Sequence, residues 1–261
     1  MKKGFMESSR RKPLYDDSSS SSDTSGRTMK LGVAYNVYDG EELLLDSIRS
    51  IKSNVDYICV VYQTVSNFGN SAHPDLEKRL QFLVDNGYVD ELYRYEAKVF
   101  SNDEKEALCS PVSNELGGPP SMVSNQFFNE LTKRELGRQM CAAKDCTHFM
   151  SMDTDEFYRE DELAYAKKKI LEDDLDGTSC KMRFYFKEVP LIYKIKPGSP
   201  LLLAHPYPCI VDPTRRMANC QRFYQFSREE IEMHHFSFVR ADMSSKMKNV
   251  SNRDNHDGAL Q

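Results

Sequence analysis

Strands and helices alternate along the first third of the chain, and this alternation limits the possible fold more than any other feature. Apolar runs typical of strands occur at Leu31–Val37, Tyr57–Tyr62 and 89–95. Between them, apolar residues spaced as on one helical face predict helices over 44–51 and 76–83. Strands separated by helices usually pair in parallel through right-handed crossovers. The sequence therefore predicts an α/β fold built on a parallel sheet.

Length and charge narrow the class of protein further. With 261 residues, 39% of them hydrophobic, the chain can bury one substantial core, with at most a small annex. Lys and Arg total 35 against 40 for Asp and Glu, which gives a formal charge of −5. Because nucleic-acid binding requires a basic surface, this balance predicts no nucleic-acid partner, and any bound anion must meet a local basic cluster.

Cysteine usage and hydropathy predict the compartment. The seven cysteines show no C-x-x-C pairing, which favours reduced thiols over disulfides or a structural metal. No apolar run approaches the roughly 20 residues of a membrane-spanning helix, and the N-terminus has no signal-peptide core. We therefore expect a cytoplasmic protein with no transmembrane segment.

Composition divides the chain into a folded region and two tails. Residues 1–28 are rich in Ser and poor in large apolar side chains, so they are predicted to be a disordered tail. The folded domain is predicted over 29–250, with a first half at 29–156 and a second half at 157–250. Residues 251–261 are predicted to form a polar tail.

The pattern changes after the first three strands. Residues 100–120 have no clear period, end in a Gly-Gly-Pro-Pro run and are predicted to form a long loop, whereas 122–146 are predicted to be helical. Beyond Gly177, short strand candidates separated by Pro and Gly predict an irregular α+β second half. These candidates are 182–186, 191–195 and 222–226.

A cluster of carboxylates follows the strand that is predicted directly after the helix over 122–146. In the run THFMSMDTDEFY, a hydrophobic segment leads directly into Asp153, Asp155 and Glu156. In an extended chain, residues two apart project to the same side, so Asp153 and Asp155 are predicted to converge. Two adjacent carboxylates repel each other unless a proton or cation lies between them, and they suit hard ions such as Mg²⁺ or Mn²⁺. This pattern predicts a metal site.

A calcium loop and a simple helix start are the alternatives for the same run. An EF-hand calcium loop is excluded, because it requires other residue types at Phe157, Tyr158 and Ala164. The second alternative is that Asp155 and Glu156 only favour the start of a helix over 159–171, since acidic residues stabilise helix N-termini. The sequence alone leaves this second alternative open.

Several other polar groups are expected near the carboxylates. In open α/β sheets, ligands lie at the carboxyl ends of the strands, which brings together the loops after Val37 and Tyr62 and the carboxylates of 153–156. Arg134 and Arg138, four apart on the preceding helix, can approach one anion. Further along, the run EMHHFSFVR offers two imidazoles, whose side chains leave an extended strand on opposite faces.

Three blocks of the chain resemble one known family. LGVAYNVYDGEELLLDSIRSI, KRELGRQMCAAKDCTHFMSMDTDEFY and HHFSFVRADMSSKMKN resemble successive blocks of GT-A-fold glycosyltransferases of the family 2-like group, over 31–249. The resemblance implies a Rossmann-like nucleotide-sugar-binding sheet with an irregular α+β acceptor half. It also implies metal-dependent transfer of a sugar, a hexose or pentose, from a nucleotide-diphosphate sugar to a hydroxyl of a glycan or glycoprotein.

The resemblance also assigns roles to particular residues. It implies that Asp153, Asp155 and His235 bind Mn²⁺ or Mg²⁺. Two positions depart from the usual pattern: Glu135 replaces an Asn, and Gln63 replaces an acidic residue that contacts the base. The donor-binding candidates are Tyr35, Asn36, Asp39, Gln63, Arg134, Arg138, Asp153 and Lys246.

The acceptor side is encoded less clearly. An inverting transferase needs a carboxylate that deprotonates the attacking hydroxyl, and the candidates are Glu188 and Asp212. Two other functions remain open: a nucleotidyltransferase that makes a nucleotide sugar, and a non-catalytic sugar- or nucleotide-binding module. The first usually has a Gly-rich basic loop after the first strand, which this sequence lacks.

Overall fold

The computed structural model describes residues 28–109, 124–186, 201–202 and 221–239. Residues 1–27 of the expected N-terminal tail lie outside the described residues, as do the strand candidate 191–195 and the tail 251–261.

The first sheet has four strands, all parallel. They are β1 (Leu31–Val37), β2 (Tyr57–Tyr62), β3 (Glu91–Arg94) and β4 (His148–Asp153). Their order in the sheet is β3-β2-β1-β4. Every residue of β1 and β2 is buried, as expected for a parallel sheet that has helices on both faces. The predicted α/β class is confirmed.

Five α-helices accompany the strands in the described ranges. They are α1 (Glu41–Ile51), α2 (Leu76–Asp85), α3 (Asn102–Cys109), α4 (Asn125–Ala143) and α5 (Glu160–Glu172), with a 3₁₀ turn at Lys52–Asn54. Helices α1, α2 and α4 lie where periodicity predicts them, and α5 occupies the region that acidic residues favour as a helix start.

Helix α3 contradicts the prediction of a loop over 100–120 at residues 102–109, whereas residues 110–120 lie outside the described residues. The cause is a reciprocal cap at its start. Glu104 N donates to Ser101 Oγ over 3.2 Å, and the carboxylate of Glu104 accepts from Ser101 N over 2.8 Å. This capping box is visible in the sequence as Ser-x-x-Glu, and it marks a helix start even where apolar periodicity is weak.

The two faces of β1 pack against different helices. Leu31, Val33 and Tyr35 belong to the main core, which also includes the apolar residues of α1, α2 and α5. The opposite face carries small residues because α4 lies very close to it. A Cβ added to Gly137 of α4 would lie 2.4 Å from Cβ of Ala34, well inside normal contact distance. Helix α4 is therefore held closely against β1.

A second sheet begins shortly after the end of β4. Its strands are β5 (Glu156–Phe157), β6 (Gly177–Phe186), β7 (Leu201–Leu202), β8 (Phe223–Gln225) and β9 (Glu232–Phe238). Strand β9 lies between β5, which is antiparallel to it, and β6, which is parallel. The predicted strands 182–186 and 222–226 correspond to the end of β6 and to β8. The mixed sheet confirms the predicted α+β second half.

Two further properties concern the helices and the cysteines. In the ranges that the structure describes, no helix is both long and apolar enough to cross a membrane. Cys59, Cys141, Cys146 and Cys180 are buried free thiols.

Candidate functional site

The strand order creates a crevice at the carboxyl ends of β1 and β4. From β1, the chain continues to β2 and β3 on one side, and then crosses to β4 on the other. At this switch point, Asn36 near the end of β1 is the register partner of Asp153, the last residue of β4. Open α/β sheets bind ligands in such a crevice.

The three carboxylates lie at this crevice, but not in one extended strand. Strand β4 ends at Asp153, Thr154 and Asp155 form a turn, and β5 begins at Glu156. The expectation that Asp153 and Asp155 converge by strand alternation is therefore wrong. Instead, Asp153 N donates to the Glu156 carboxylate over 2.9 Å, which closes the turn. Phe236 N donates to the carbonyl of Asp155 over 2.7 Å and so fixes the turn to β9.

Helix α1 and the loop after β1 hold the turn in place through hydrogen bonds. Ser47 Oγ donates to the carbonyl of Glu156, and Thr154 Oγ1 donates to the carbonyl of Asp39 over 3.4 Å. The Tyr35 hydroxyl lies 2.9 Å from Ser47 Oγ. Tyr35 is wholly buried, and this burial raises the pKa of its hydroxyl. The Tyr35 side chain therefore belongs to the core next to the site. Asp39 contacts the turn through its backbone carbonyl.

Asp155 forms a buried pair with His235. Asp155 is only 2% exposed, and its Oδ1 lies 3.2 Å from His235 Nε2. The pairing of β5 with β9 creates this approach, because it sets Glu156 opposite His235. The predicted approach of His235 to Asp155 is therefore observed.

His234 leaves the strand on the opposite face, as alternation predicts. Its Nδ1 lies 2.6 Å from the hydroxyl of Tyr185, and burial lowers the pKa of its imidazole. Tyr185 in turn stacks on Phe236, with ring centroids 4.4 Å apart. His234 is therefore part of an aromatic cluster, separate from Asp155.

Arg134 contacts the other aspartate of the motif. Its Nη1 donates to Ser151 Oγ over 2.6 Å, and its Nη2 lies 3.3 Å from Oδ1 of Asp153. The Asp153 side chain is 35% exposed, so one side of it remains accessible. The second predicted arginine is engaged elsewhere, since Arg138 binds Glu135 on its own helix.

Two amides near the crevice differ in how they are satisfied. Both polar atoms of the Asn36 amide are buried and have no hydrogen-bond partner among the described residues. Buried polar groups in folded proteins are normally paired, so this amide has the capacity to hydrogen-bond a group outside the described residues. By contrast, Gln63 Nε2 donates to the carbonyl of Val65 and to Asn67 Oδ1, both over 3.2 Å. Gln63 therefore organises its own loop.

The donor set fits a divalent ion whose coordination a substrate completes. Among the described residues, no three His, Cys, Asp or Glu side chains are arranged as a closed metal site. The pair Asp155 and His235 offers one carboxylate and one imidazole, with Asp153 one position before the turn. Ions such as Mg²⁺ commonly bind one or two carboxylates and complete their coordination with substrate phosphates and water, and imidazole suits transition metals.

Three predicted residues lie outside the described residues: Glu188, Asp212 and Lys246. Conversely, Ser47 and Glu130, which support the turn and Arg134, were not identified from the sequence. Glu130 could have been found from its spacing, because it lies four positions before Arg134 on one helical face.

Comparison with known proteins gives matches in structure alone. No known family model and no curated protein matches the sequence. Matching solved structures include TarS of S. aureus, with 12% identity over 89% of this chain and 42% of TarS, at a TM-score of 0.45. GalNAc-T7, solved with UDP, GalNAc and Mn²⁺, matches with 12% identity over 80% of this chain and 44% of its own, at a TM-score of 0.46.

A third match is TarS 1–349 in complex with UDP-GlcNAc, with 15% identity over 66% of this chain and 38% of that one, at a TM-score of 0.37. The chain thus spans less than half the length of the chain in each of these three structures. TarS and GalNAc-T7 are GT-A glycosyltransferases, the group that the sequence blocks resemble.

Proposed function

We propose that this chain is a metal-dependent glycosyltransferase that moves a hexose or pentose from a nucleotide-diphosphate sugar to a hydroxyl of a glycan or glycoprotein. The observation that carries the proposal is the buried Asp155–His235 pair at the β1–β4 switch point, next to Asp153 and Asn36. A carboxylate and an imidazole joined from distant strands at a ligand-binding crevice are typical of a functional site.

In this proposal, Asp155 and His235 hold Mn²⁺ or Mg²⁺, and Asp153 faces the same ion. When bound, the ion supplies a Lewis acid for the negative charge that develops on the departing nucleoside diphosphate. The Asn36 amide, whose two polar atoms are buried without described partners, hydrogen-bonds the donor from the end of β1. The guanidinium of Arg134 adds positive charge beside Asp153.

The remaining candidates act around this centre. The loops that carry Asp39 and Gln63 form the wall on the β1–β2 side of the crevice. Lys246 closes over the diphosphate, and either Glu188 or Asp212 takes the proton of the acceptor hydroxyl. The assignments of Lys246, Glu188 and Asp212 are made from the sequence. We also propose a reducing, cytoplasmic location, which agrees with the buried free thiols.

Binding of nucleoside diphosphates with and without metal tests the proposal. UDP is the first probe, since TarS and GalNAc-T7 have been solved with it. We expect UDP with Mn²⁺ to raise the melting temperature more than either alone, because a ligand stabilises the state that it binds. Asp155→Asn should abolish this joint effect. Asp161→Asn, at an exposed residue of α5, is the matched control. Equal shifts in wild type and Asp155→Asn would remove the metal-site assignment.

Turnover distinguishes an enzyme from a binding module. A glycosyltransferase releases UDP slowly from a UDP-sugar in the presence of Mn²⁺, even without an acceptor, because water can replace the acceptor hydroxyl. A non-catalytic module, the second candidate, gives the same thermal shift without UDP release. It is favoured by the engagement of Gln63 within its own loop, where related enzymes present an acidic residue to the base.

A further inference from the structure

Helix α4 carries two buried cations that share a single carboxylate. Glu130 Oε2 accepts from Lys133 Nζ over 2.9 Å, and Glu130 Oε1 lies 3.0 Å from Nη2 of Arg134. The Lys133 and Arg134 side chains are only 6% and 5% exposed. Because charges removed from water require compensating partners, these contacts keep both cations in the folded protein.

The same guanidinium nitrogen also contacts the candidate metal site. Nη2 of Arg134 lies 3.0 Å from Glu130 and 3.3 Å from Asp153, so the two carboxylates share its positive charge. Counted together, Lys133 and Arg134 carry two positive charges, and Glu130 and Asp153 carry two negative charges. The group is therefore neutral only while Asp153 contributes its charge to it.

We propose that Glu130 is a positioning residue that controls how Asp153 is divided between Arg134 and a divalent cation. By pairing with Arg134, Glu130 weakens the attraction between the guanidinium and Asp153. The Asp153 carboxylate is then able to turn towards the ion. The part of this inference that concerns the ion rests on the proposed function. The sharing of Arg134 by Glu130 and Asp153 rests on the distances alone.

Two substitutions that change only charge have opposite expected effects. Glu130→Gln leaves two buried cations with Asp153 as the remaining carboxylate of the group, so Asp153 is held more strongly and a divalent cation is repelled. Lys133→Gln removes one of the two cations that Glu130 binds. Glu130 then interacts more strongly with Arg134, and the hold of Arg134 on Asp153 becomes weaker. Mn²⁺ affinity should therefore fall in Glu130→Gln and rise in Lys133→Gln.

The matched control lies on the same helix. Glu135 binds Arg138 and Gln139, and Glu135→Gln removes the same charge without touching Arg134. Binding of Mn²⁺ alone is measured by titration with detection of the free ion by electron paramagnetic resonance. Changes around metal ligands commonly weaken metal binding by about 10-fold to 100-fold, so we expect about a tenfold loss in Glu130→Gln and no change in Glu135→Gln.

A second measurement needs no metal. A double-mutant cycle in urea unfolding combines Glu130→Gln with Asp153→Asn. Because both carboxylates bind one guanidinium, the shifts of the unfolding midpoint should not add, whereas those of Glu135→Gln and Asp153→Asn should. If the wild type binds no Mn²⁺, the metal dependence in the proposed function is contradicted. A non-additive cycle would still support the coupling of Glu130 to Asp153 through Arg134.

Two results would overturn the inference. One is additive unfolding shifts for Glu130→Gln and Asp153→Asn, which would show that Arg134 does not connect these residues. The other is a wild type that binds Mn²⁺ with an affinity that neither Glu130→Gln nor Lys133→Gln changes. If Glu130→Gln fails to fold, Lys133→Gln alone decides, since tighter Mn²⁺ binding supports the proposal and unchanged or weaker binding contradicts it.

Discussion

Nε2 of His235 lies 3.2 Å from Oδ1 of Asp155, although 80 positions separate the two residues in the sequence. The contact depends on the antiparallel pairing of β5 with β9. It joins the end of the parallel sheet to the second sheet. The candidate site is therefore shared between the two halves of the domain.

The two adjacent histidines should respond differently to truncation. His235→Ala is expected to weaken Mn²⁺-dependent binding of UDP by about tenfold or more, because it removes a proposed metal ligand and not only a group around the site. His234→Ala removes the contact with Tyr185 and should mainly lower the free energy of unfolding, by about 1 kcal/mol. Calorimetric titration and urea unfolding of both variants give the comparison. Equal loss of UDP affinity in the two would contradict the assignment.

Asn36 is expected to oppose stability and support binding. Its amide is buried with no hydrogen-bond partner among the described residues, so Asn36→Leu should raise the free energy of unfolding, by about 1 kcal/mol, and weaken UDP binding. Gln63→Leu is the control, because Nε2 of that amide donates two hydrogen bonds within its loop and their loss should destabilise the protein. A stability loss in Asn36→Leu as large as that in Gln63→Leu would show that the Asn36 amide is satisfied in solution.

The close packing of α4 on β1 gives a third prediction. Gly137→Ala should destabilise the protein by about 1–3 kcal/mol, because the added Cβ would lie 2.4 Å from that of Ala34. Ala34→Gly in the same chain removes the clash and should recover part of the loss. Urea unfolding of the single and double variants measures this recovery. Equal stability of the single variant and the wild type would show that α4 can shift away from the sheet.

Acid should destabilise the fold partly through His148, at the start of β4. Burial lowers the pKa of this imidazole, and the nearby Lys167 lowers it further. In the unfolded chain the imidazole takes up a proton near pH 6.5, while in the folded protein it stays neutral to lower pH. Its contribution to stability is therefore constant above about pH 6.5 and is lost as the pH falls below that value.

His148→Gln should reduce this loss between pH 7.5 and 5.5, as measured by urea unfolding at both values. Between pH 8 and 9 the imidazole is neutral in both states, so the variant and the wild type should show the same pH dependence there. An unchanged loss at acidic pH would assign the effect to other groups, including the half-buried His234.

Periodicity was sufficient to predict the parallel sheet and its helices, because β1 and β2 are buried on both faces and α1 on one. Helix α3 was missed, since its start depends on two hydrogen bonds between Ser101 and Glu104 and not on an apolar stripe. The sequence suggested which side chains meet at the crevice, but it did not predict the turn at Thr154 and Asp155.

The arginines show the limit of spacing arguments. Arg134 and Arg138 share a helical face, yet Arg134 contacts Asp153 whereas Arg138 binds Glu135 on its own helix. Tyr35 was expected at the donor, but strand alternation directs it into the core beside Ser47. Such outcomes depend on which partner is nearest in three dimensions, and spacing along the chain does not contain that information.

The dependence of the Asp155–His235 contact on β9 has a consequence for the order of folding. The first sheet can form from residues up to Asp153, whereas the imidazole arrives only when β9 inserts between β5 and β6. Contacts between residues so distant in sequence generally form slowly, because a long loop must close first. During refolding, therefore, we expect the sheet to acquire protection from hydrogen exchange before metal-dependent nucleotide binding appears.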